Sequence, residues 1–312
     1  MFSRLLRRSA LVLTLLISGA AAAVTGSSDY NTAPLTPSRF ITYQGLQIAV
    51  YESAGTRGPG ILMVHGNTSS ANAYEKVFNS RYAQRHKIVL MDMPGYGRSD
   101  NAPQYNVAQQ IGAIQAVALA TNTDTGVLVG WSLGAFYGVQ ATQLLPQLKG
   151  LFLFGDAVTN FDPSLPSPFL TPAQSYAGAA VNYGTVQNLT SLQVVDYVNY
   201  FFGPNYGRIP RPMIEDGLRA DPATRGAILN IVLGTDPIAE PIAILSNATF
   251  KLALVNGAQD AFVNNDRYAA IEPLFPTLFR NRTIFIQNAG HAPQIENTSR
   301  FLDILGDFVQ SL

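Results

Sequence analysis

Two rhythms of apolar and polar positions run along this chain. Residues 40–52 (FITYQGLQIAVYE) alternate on either side of Gly45, the pattern of two half-buried strands joined by a tight turn. From residue 60 the alternation gives way to short unbroken apolar runs. They are GILMVHG (60–66), HKIVLMD (86–92), TGVLVGW (125–131), KGLFLFGD (149–156), FKLALVNG (250–257) and RTIFIQNAG (282–290). Runs of Val, Ile and Leu without alternation suit strands buried on both faces, as in a parallel sheet covered by helices. Glycine-containing turns and helix-compatible stretches follow them, and 105–121 and 134–146 have the length of crossover helices. The pattern therefore predicts an α/β fold: a doubly wound, mostly parallel sheet opened by an antiparallel pair.

Residues 157–247 break this rhythm. They are rich in Pro, Tyr, Phe and Asn, contain no further buried-strand run, and read as helical at 189–202 and 223–233. An insertion in a regular α/β sheet commonly sits over the carboxyl ends of the strands, where ligands bind. The expectation is a largely helical cap over 157–247 on a core made of 24–156 and 248–312. A structural excursion elsewhere on the surface is the alternative.

The first residues follow a third pattern. MFSRLLRRSALVLTLLISGAAAAV carries Arg4, Arg7 and Arg8, then an apolar run, then small residues. That is the layout of a secretory signal peptide over 1–23, with an uncleaved anchor or twin-arginine export as alternatives. The apolar run is shorter than the roughly 20 residues a spanning helix needs, so no stable membrane span and an exported, periplasmic or extracellular protein are expected. Without this segment 17 basic residues face 20 acidic ones, and no basic patch or lysine run argues for nucleic acid. The chain has no cysteine, which removes disulfides, thiolate metal sites and a cysteine nucleophile. Stability must come from the core, for which 47% hydrophobic residues at this length suffice.

Candidate chemistry centres on LVGWSLGAF (128–136), a G-x-S-x-G sequence between a strand run and an apolar helix-like stretch. Strand, G-x-S-x-G, helix is the setting of a nucleophile elbow, in which a sharp turn exposes the hydroxyl of Ser132 beside helix N-terminal amides. A serine hydroxyl needs a base, and the chain has three histidines. His86 precedes a strand, in the manner of a surface residue. His65 ends an early one, and His291 (NAGHAPQIE) follows the last strand run, at the same sheet edge as Ser132. His291 is the candidate base. The acid that orients it is Asp260 in GAQD, with Asp156, after GLFLFG, as the alternative. Asp92 lies in the turn DMPGYGRSD and reads as structural.

These stretches together (HGN at 65–67, DMPGYGRSD at 92–100, GWSLG at 130–134, GAQD at 257–260 and AGHAPQIE at 289–296) resemble the α/β-hydrolase superfamily, in particular its cap-bearing serine esterase and lipase-like branch. The resemblance spans residues 60–312 apart from the cap. It implies an oxyanion hole from the backbone N–H groups of Asn67 and Leu133, a loop shaped by His65 and Gly66, and Trp131 lining the pocket, with a core role for Trp131 as the alternative. Haloalkane dehalogenases share HGN but use an aspartate nucleophile followed by tryptophan. Here serine stands at that position and Trp131 precedes it, which disfavours alkyl-enzyme ester chemistry.

The expected function is a secreted serine hydrolase that cleaves a small-molecule carboxylic ester or lactone through an acyl-enzyme, with no metal and no organic cofactor. The same triad could act on a C–C bond, an amide or a peracid-forming reaction. A non-catalytic ligand-binding protein on the same fold is a further alternative. The aromatic residues Tyr176, Tyr183, Tyr197, Tyr200, Phe201 and Phe202 suggest a pocket that favours apolar groups.

Overall fold

The computed structural model describes residues 33–156, 158–160 and 162–312. The segment read as a signal peptide lies outside the described residues, and among those described no helix is long and apolar enough to cross a membrane. Among the described residues eight strands form one sheet: β1 (Arg39–Tyr43), β2 (Leu46–Glu52), β3 (Arg57–Val64), β4 (His86–Met91), β5 (Val127–Trp131), β6 (Gly150–Phe154), β7 (Lys251–Gly257) and β8 (Ile284–Ile286). Their spatial order is β1-β2-β4-β3-β5-β6-β7-β8. β1 and β2 form the expected hairpin, and β2 is antiparallel to β4. Every other pairing is parallel. The hairpin turns through Gln44 and Gly45, both at positive φ (49° and 83°), which matches the right-handed twist of the flanking strands.

Among the described residues ten α-helices accompany the sheet: α1 (Glu75–Phe78), α2 (Val107–Ala120), α3 (Leu133–Ala141), α4 (Ser191–Asn199), α5 (Arg211–Arg219), α6 (Pro222–Val232), α7 (Pro241–Ser246), α8 (Tyr268–Ile271), α9 (Pro293–Glu296) and α10 (Thr298–Gln310). The unbroken apolar runs are explained by two separate cores. On one face Met63, Val129, Phe152 and Val255 pack with Phe301 and Phe308 of α10. On the other Leu62, Leu128, Leu151 and Leu254 pack with Ile114 and Val117 of α2 and Val139 of α3. Alternate residues of one strand thus enter opposite cores, and each fully buried Val, Leu, Ile or Phe contributes about 1.5–3 kcal/mol.

The segment between β6 and β7 carries α4 to α7 and no strand of the main sheet among the described residues. Helices α4 and α6 fall where the pattern predicts them, whereas α5 and α7 were not expected. Both begin at a proline in the first turn, and Glu240 caps α7 by accepting from the N–H groups of Ile242 and Ala243. Several hydrogen bonds tie this insertion to loops at the carboxyl edge of the sheet, three groups of them at Asp216, Asp221 and Phe201. Asp216 of α5 accepts from Ser70 Oγ (2.6 Å) and Asn72 Nδ2 (2.9 Å). The backbone N–H of Asp221 donates to Gly95 O (2.9 Å), and that of Ala292 donates to Phe201 O (2.9 Å).

Candidate active site

Ser132 stands between β5 and α3 at φ 53° and ψ −119°, a backbone conformation that costs a non-glycine residue of order 1–3 kcal/mol. The surroundings enforce it. A Cβ on Gly130 would lie 2.5 Å from Ala135 Cα and from the Gly134 carbonyl oxygen. One on Gly134 would strike the carbonyl oxygens of Val64 and His65. Two glycines are therefore needed for helix, strand and neighbouring loop to pass one another, and Ser132 N–H is anchored on Phe154 O at 2.9 Å. Leu133 is the first residue of α3, where backbone N–H groups lack intrahelical partners and favour negative charge.

The turns after β7 and β8 bring an acid to a histidine. Asp260 Oδ2 accepts from His291 Nδ1 at 2.8 Å, and Asp260 Oδ1 accepts from the N–H groups of Phe262 (2.8 Å) and Val263 (3.1 Å). Asp260 is thereby fixed through both oxygens. With the Nδ1 proton engaged, the neutral imidazole keeps its basic lone pair on Nε2. His291 is 4% exposed. No hydrogen bond joins Ser132 Oγ to His291 among the described residues, but both residues line one cavity.

The loop after β3 supplies a third wall. His65 Nδ1 donates to Gly66 O (2.8 Å), and its Nε2 accepts from Met93 N–H (3.0 Å). Burial pushes its pKa below the ordinary histidine value, so both ring nitrogens are engaged by a neutral side chain that holds the loop. Asn67 Nδ2 donates to Gly184 O of the insertion (3.0 Å), while Oδ1 accepts from Tyr96 OH (3.2 Å) and Thr68 Oγ1 (3.2 Å).

Ser132, Leu133, Asn67 and His291 face a cavity of about 280 Å³. Its remaining wall is mostly apolar: Phe136 and Phe262 come from the core, and Val181, Ile228 and Ile231 from the insertion. Asp156, Thr159, Asn182 and Thr185 add polar groups. A mostly apolar cleft with a few convergent polar groups is the usual character of a small-molecule site.

A family model described as the alpha/beta hydrolase family matches residues 61–304. The chain belongs to that family. Among its relatives is a pimeloyl-[acyl-carrier protein] methyl ester esterase of Xylella fastidiosa (strain M12), 22% identical over 257 residues that cover 82% of this chain and 96% of the relative. The enzyme of the same name from Edwardsiella ictaluri (strain 93-146) is 25% identical over 265 residues, covering 83% and 96%. Among solved structures, a mutant N-acyl homoserine lactonase complexed with N-hexanoyl homoserine lactone superposes with a TM-score of 0.73 at 24% identity, over 85% of this chain and 94% of that one. An esterase from Rhodococcus sp. ECU1013 gives 0.72 at 18% identity, over 89% and 100%. At these identities the structural likeness speaks for the fold.

In this alpha/beta hydrolase the other sequence-derived candidates take separate places. Trp131 corrects the expectation that it lines the pocket. It points with Val127 and Val129 into the core, is 0% exposed, and donates its indole N–H to His291 O at 2.7 Å. Asp156 lies on the cavity wall, but the bond to His291 is made by Asp260. Asp92 is a structural hub that accepts from Ala71 N–H (2.7 Å), Tyr51 OH (2.8 Å) and Arg98 N–H (2.8 Å). His86 stacks on Tyr82 with ring centroids 4.0 Å apart.

Of the six insertion aromatics singled out in the sequence Tyr197 lines the cavity, where Phe169 of the insertion joins it, and burial raises the Tyr197 hydroxyl to about 12. Phe201 instead packs on Trp131 and His291 from behind. Tyr176 OH bonds Phe202 O (3.1 Å) and Gln259 O (3.0 Å). Glu296 was not singled out by its sequence. Its carboxylate accepts from Gly290 N–H (2.7 Å) and Gly203 N–H (2.8 Å), joining the histidine loop to the insertion. Only its place five residues beyond His291, in AGHAPQIE, hinted at this.

Proposed function

We propose that this protein is an exported serine esterase that cleaves a carboxylic ester or lactone, with the 157–247 insertion serving as its cap. The observation that carries the reading is the Asp260–His291 hydrogen bond opening onto the cavity that also exposes the strained Ser132. His291 Nε2 removes the Ser132 proton as Oγ attacks the ester carbonyl. Asp260 holds the imidazole in the required tautomer and stabilises its cation. In substrate-free sites the serine–histidine bond is commonly long and closes in the complex.

The N–H groups of Asn67 and Leu133 receive the developing oxyanion, a contribution of about 3–4 kcal/mol per donor in well-formed holes. His291 then passes its proton to the departing alcohol, and a water activated by the same imidazole releases the acid from Ser132. The nucleophile, base, acid and oxyanion donors of this scheme all come from this chain. The names of the relatives, methyl ester esterases, are in line with this class of substrate.

The test pairs activity with labelling. Wild type is expected to hydrolyse 4-nitrophenyl esters and to react with a fluorophosphonate at Ser132, while Ser132→Ala loses at least about 1,000-fold in kcat and the label. Equal turnover by both proteins, or labelling at a different serine, ends this reading.

A further inference from the structure

The loop after β3 carries one of the two proposed oxyanion donors, in a shape the backbone does not take freely. Asn67 N–H has no hydrogen-bond partner among the described residues. It follows Gly66, on which a Cβ would lie 3.1 Å from Ser132 Cβ, so the open donor stands beside the nucleophile. Thr68, next in the chain, is buried and holds φ 53°. For a β-branched residue that is an outlier, and such strain persists where the surroundings over-determine it.

The Asn67 side chain supplies part of that restraint from two directions. Its Oδ1 accepts from Tyr96 OH (3.2 Å) in the turn after β4, and its Nδ2 donates to Gly184 O (3.0 Å) in the insertion. The insertion also lies against the strained residue: a Cβ on Gly217 of α5 would be 3.4 Å from Thr68 Cγ2. Gly184 is itself held. Buried Arg225 of α6 donates to the carbonyls of Val186 (3.0 Å) and Gln187 (3.1 Å) just beyond it. Tyr197 closes the other side, since a Cβ on Gly184 would lie 2.7 Å from Tyr197 Oη. Phe201 and Phe262 pack edge-on against the Tyr197 ring, with centroids 5.0 and 5.3 Å away, and leave it little room to retreat.

We propose that Gly184 is a positioning residue: its carbonyl holds the Asn67 side chain and thereby aims the Asn67 N–H at the oxyanion. The insertion then sets the rate of the chemical step as well as the shape of the cavity. A contact that shapes the cavity alone acts on substrate and transition state alike and is read in KM. One that aims an oxyanion donor acts where charge develops and is read in kcat. This inference rests on the esterase reading and on the place of Asn67 N–H in it.

The test is a double-mutant cycle on 4-nitrophenyl hexanoate, run well below the melting temperature of each variant. Gly184→Ala drives a methyl group against Tyr197 and moves the carbonyl off Asn67. Asn67→Ala removes the side chain and keeps the backbone N–H. Each is expected to lose about 10- to 100-fold in kcat, with KM within about three-fold of wild type. The double variant is expected to be no slower than the slower single one, because both changes break the same link. Tyr197→Phe removes the atom in the way, and in that background Gly184→Ala is expected to cost less than about three-fold.

Unchanged kcat in the folded single variants overturns the proposal, as does a loss confined to KM. Losses that multiply in the double variant, or a full Gly184→Ala loss beside Tyr197→Phe, overturn it too. If Gly184→Ala does not fold, the kcat and KM of Asn67→Ala decide. If wild type hydrolyses no ester, the esterase reading fails on its own. The link is then read by hydrogen–deuterium exchange over residues 65–73, where the Ala71 and Asn72 amides are bonded to Asp92 and Ser70. Faster exchange there in Gly184→Ala, reversed by adding Tyr197→Phe, supports the hold of Gly184 on this loop, and exchange equal to wild type refutes it.

Discussion

Trp131 shows how one side chain can serve the site without touching the cavity. It is wedged between the loop of Gly66, where a Cβ would lie 3.2 Å from the indole, and the turn at Gly155, where it would lie 2.9 Å away. Its N–H meanwhile holds the His291 carbonyl. Trp131→Phe keeps most of the volume and removes that donor, leaving a buried carbonyl unpaired. The expected cost is about 1–3 kcal/mol, read by urea denaturation, with kcat falling several-fold more than KM rises. At this scale the sequence was informative where chemistry limits the choices. Three histidines and the G-x-S-x-G context narrowed the candidates to His291 and Ser132, which line one cavity. The role of Trp131 was not legible, because a strand buried on both faces gives no polar side to mark which way each residue points. Glu296 was obscure for a related reason: its meaning depends on partners from distant turns.

The elbow shows what an element requires of its residues. β5 and α3 meet at Ser132 only because nothing projects from Gly130 and Gly134. Gly134→Ala would drive a methyl group into the carbonyls of residues 64 and 65, and relief requires the β3 loop carrying Asn67 to move. We expect a loss of about 2–3 kcal/mol, typical of overpacking, and a disproportionate loss of esterase activity. A fluorophosphonate rate that matches wild type in the folded variant would refute the link between this contact and the loop. The strands were legible as unbroken apolar runs because each feeds two cores. Helices α5 and α7 were not, since α7 has only six residues and α5, as long as α4, opens between two prolines and takes its place from contacts with distant loops. Asp216 reaches loop residues 70 and 72, and α7 packs on α3 through Leu245.

At the scale of the whole molecule, the insertion and the sheet are joined through a titrating group. Burial raises Asp216 to about 7, with the charges of Asp92 and Glu215 pushing in the same direction and the Ser70 and Asn72 hydrogen bonds opposing them. A carboxyl whose pKa is higher in the folded than in the unfolded chain favours folding when protonated. Its contribution is present below about pH 4 and is lost as pH rises to about 7, with an upper bound of about 4 kcal/mol from the size of the shift. Between pH 5 and 8 the melting temperature of wild type is expected to fall more steeply than that of Asp216→Asn. Parallel pH profiles would rule this out. The cavity, about 280 Å³, lies at the small end of the range for small-molecule sites. Activity on 4-nitrophenyl esters is therefore expected to decline from hexanoate to dodecanoate, and a rise along that series would refute the size limit.

The joint between insertion and histidine loop also bears on how such proteins can be recombined. Ala292 N–H ends on Phe201 O, and Glu296 spans Gly203 and Gly290, so the insertion proposed as a cap also braces the loop of the proposed base, His291. A chimera that exchanges residues 157–247 for those of a relative would replace both functions at once. Such a graft should keep its chemistry only where the donor sequence reproduces that short braced stretch, and a successful exchange of specificity would have to begin by leaving residues 201–203 in place.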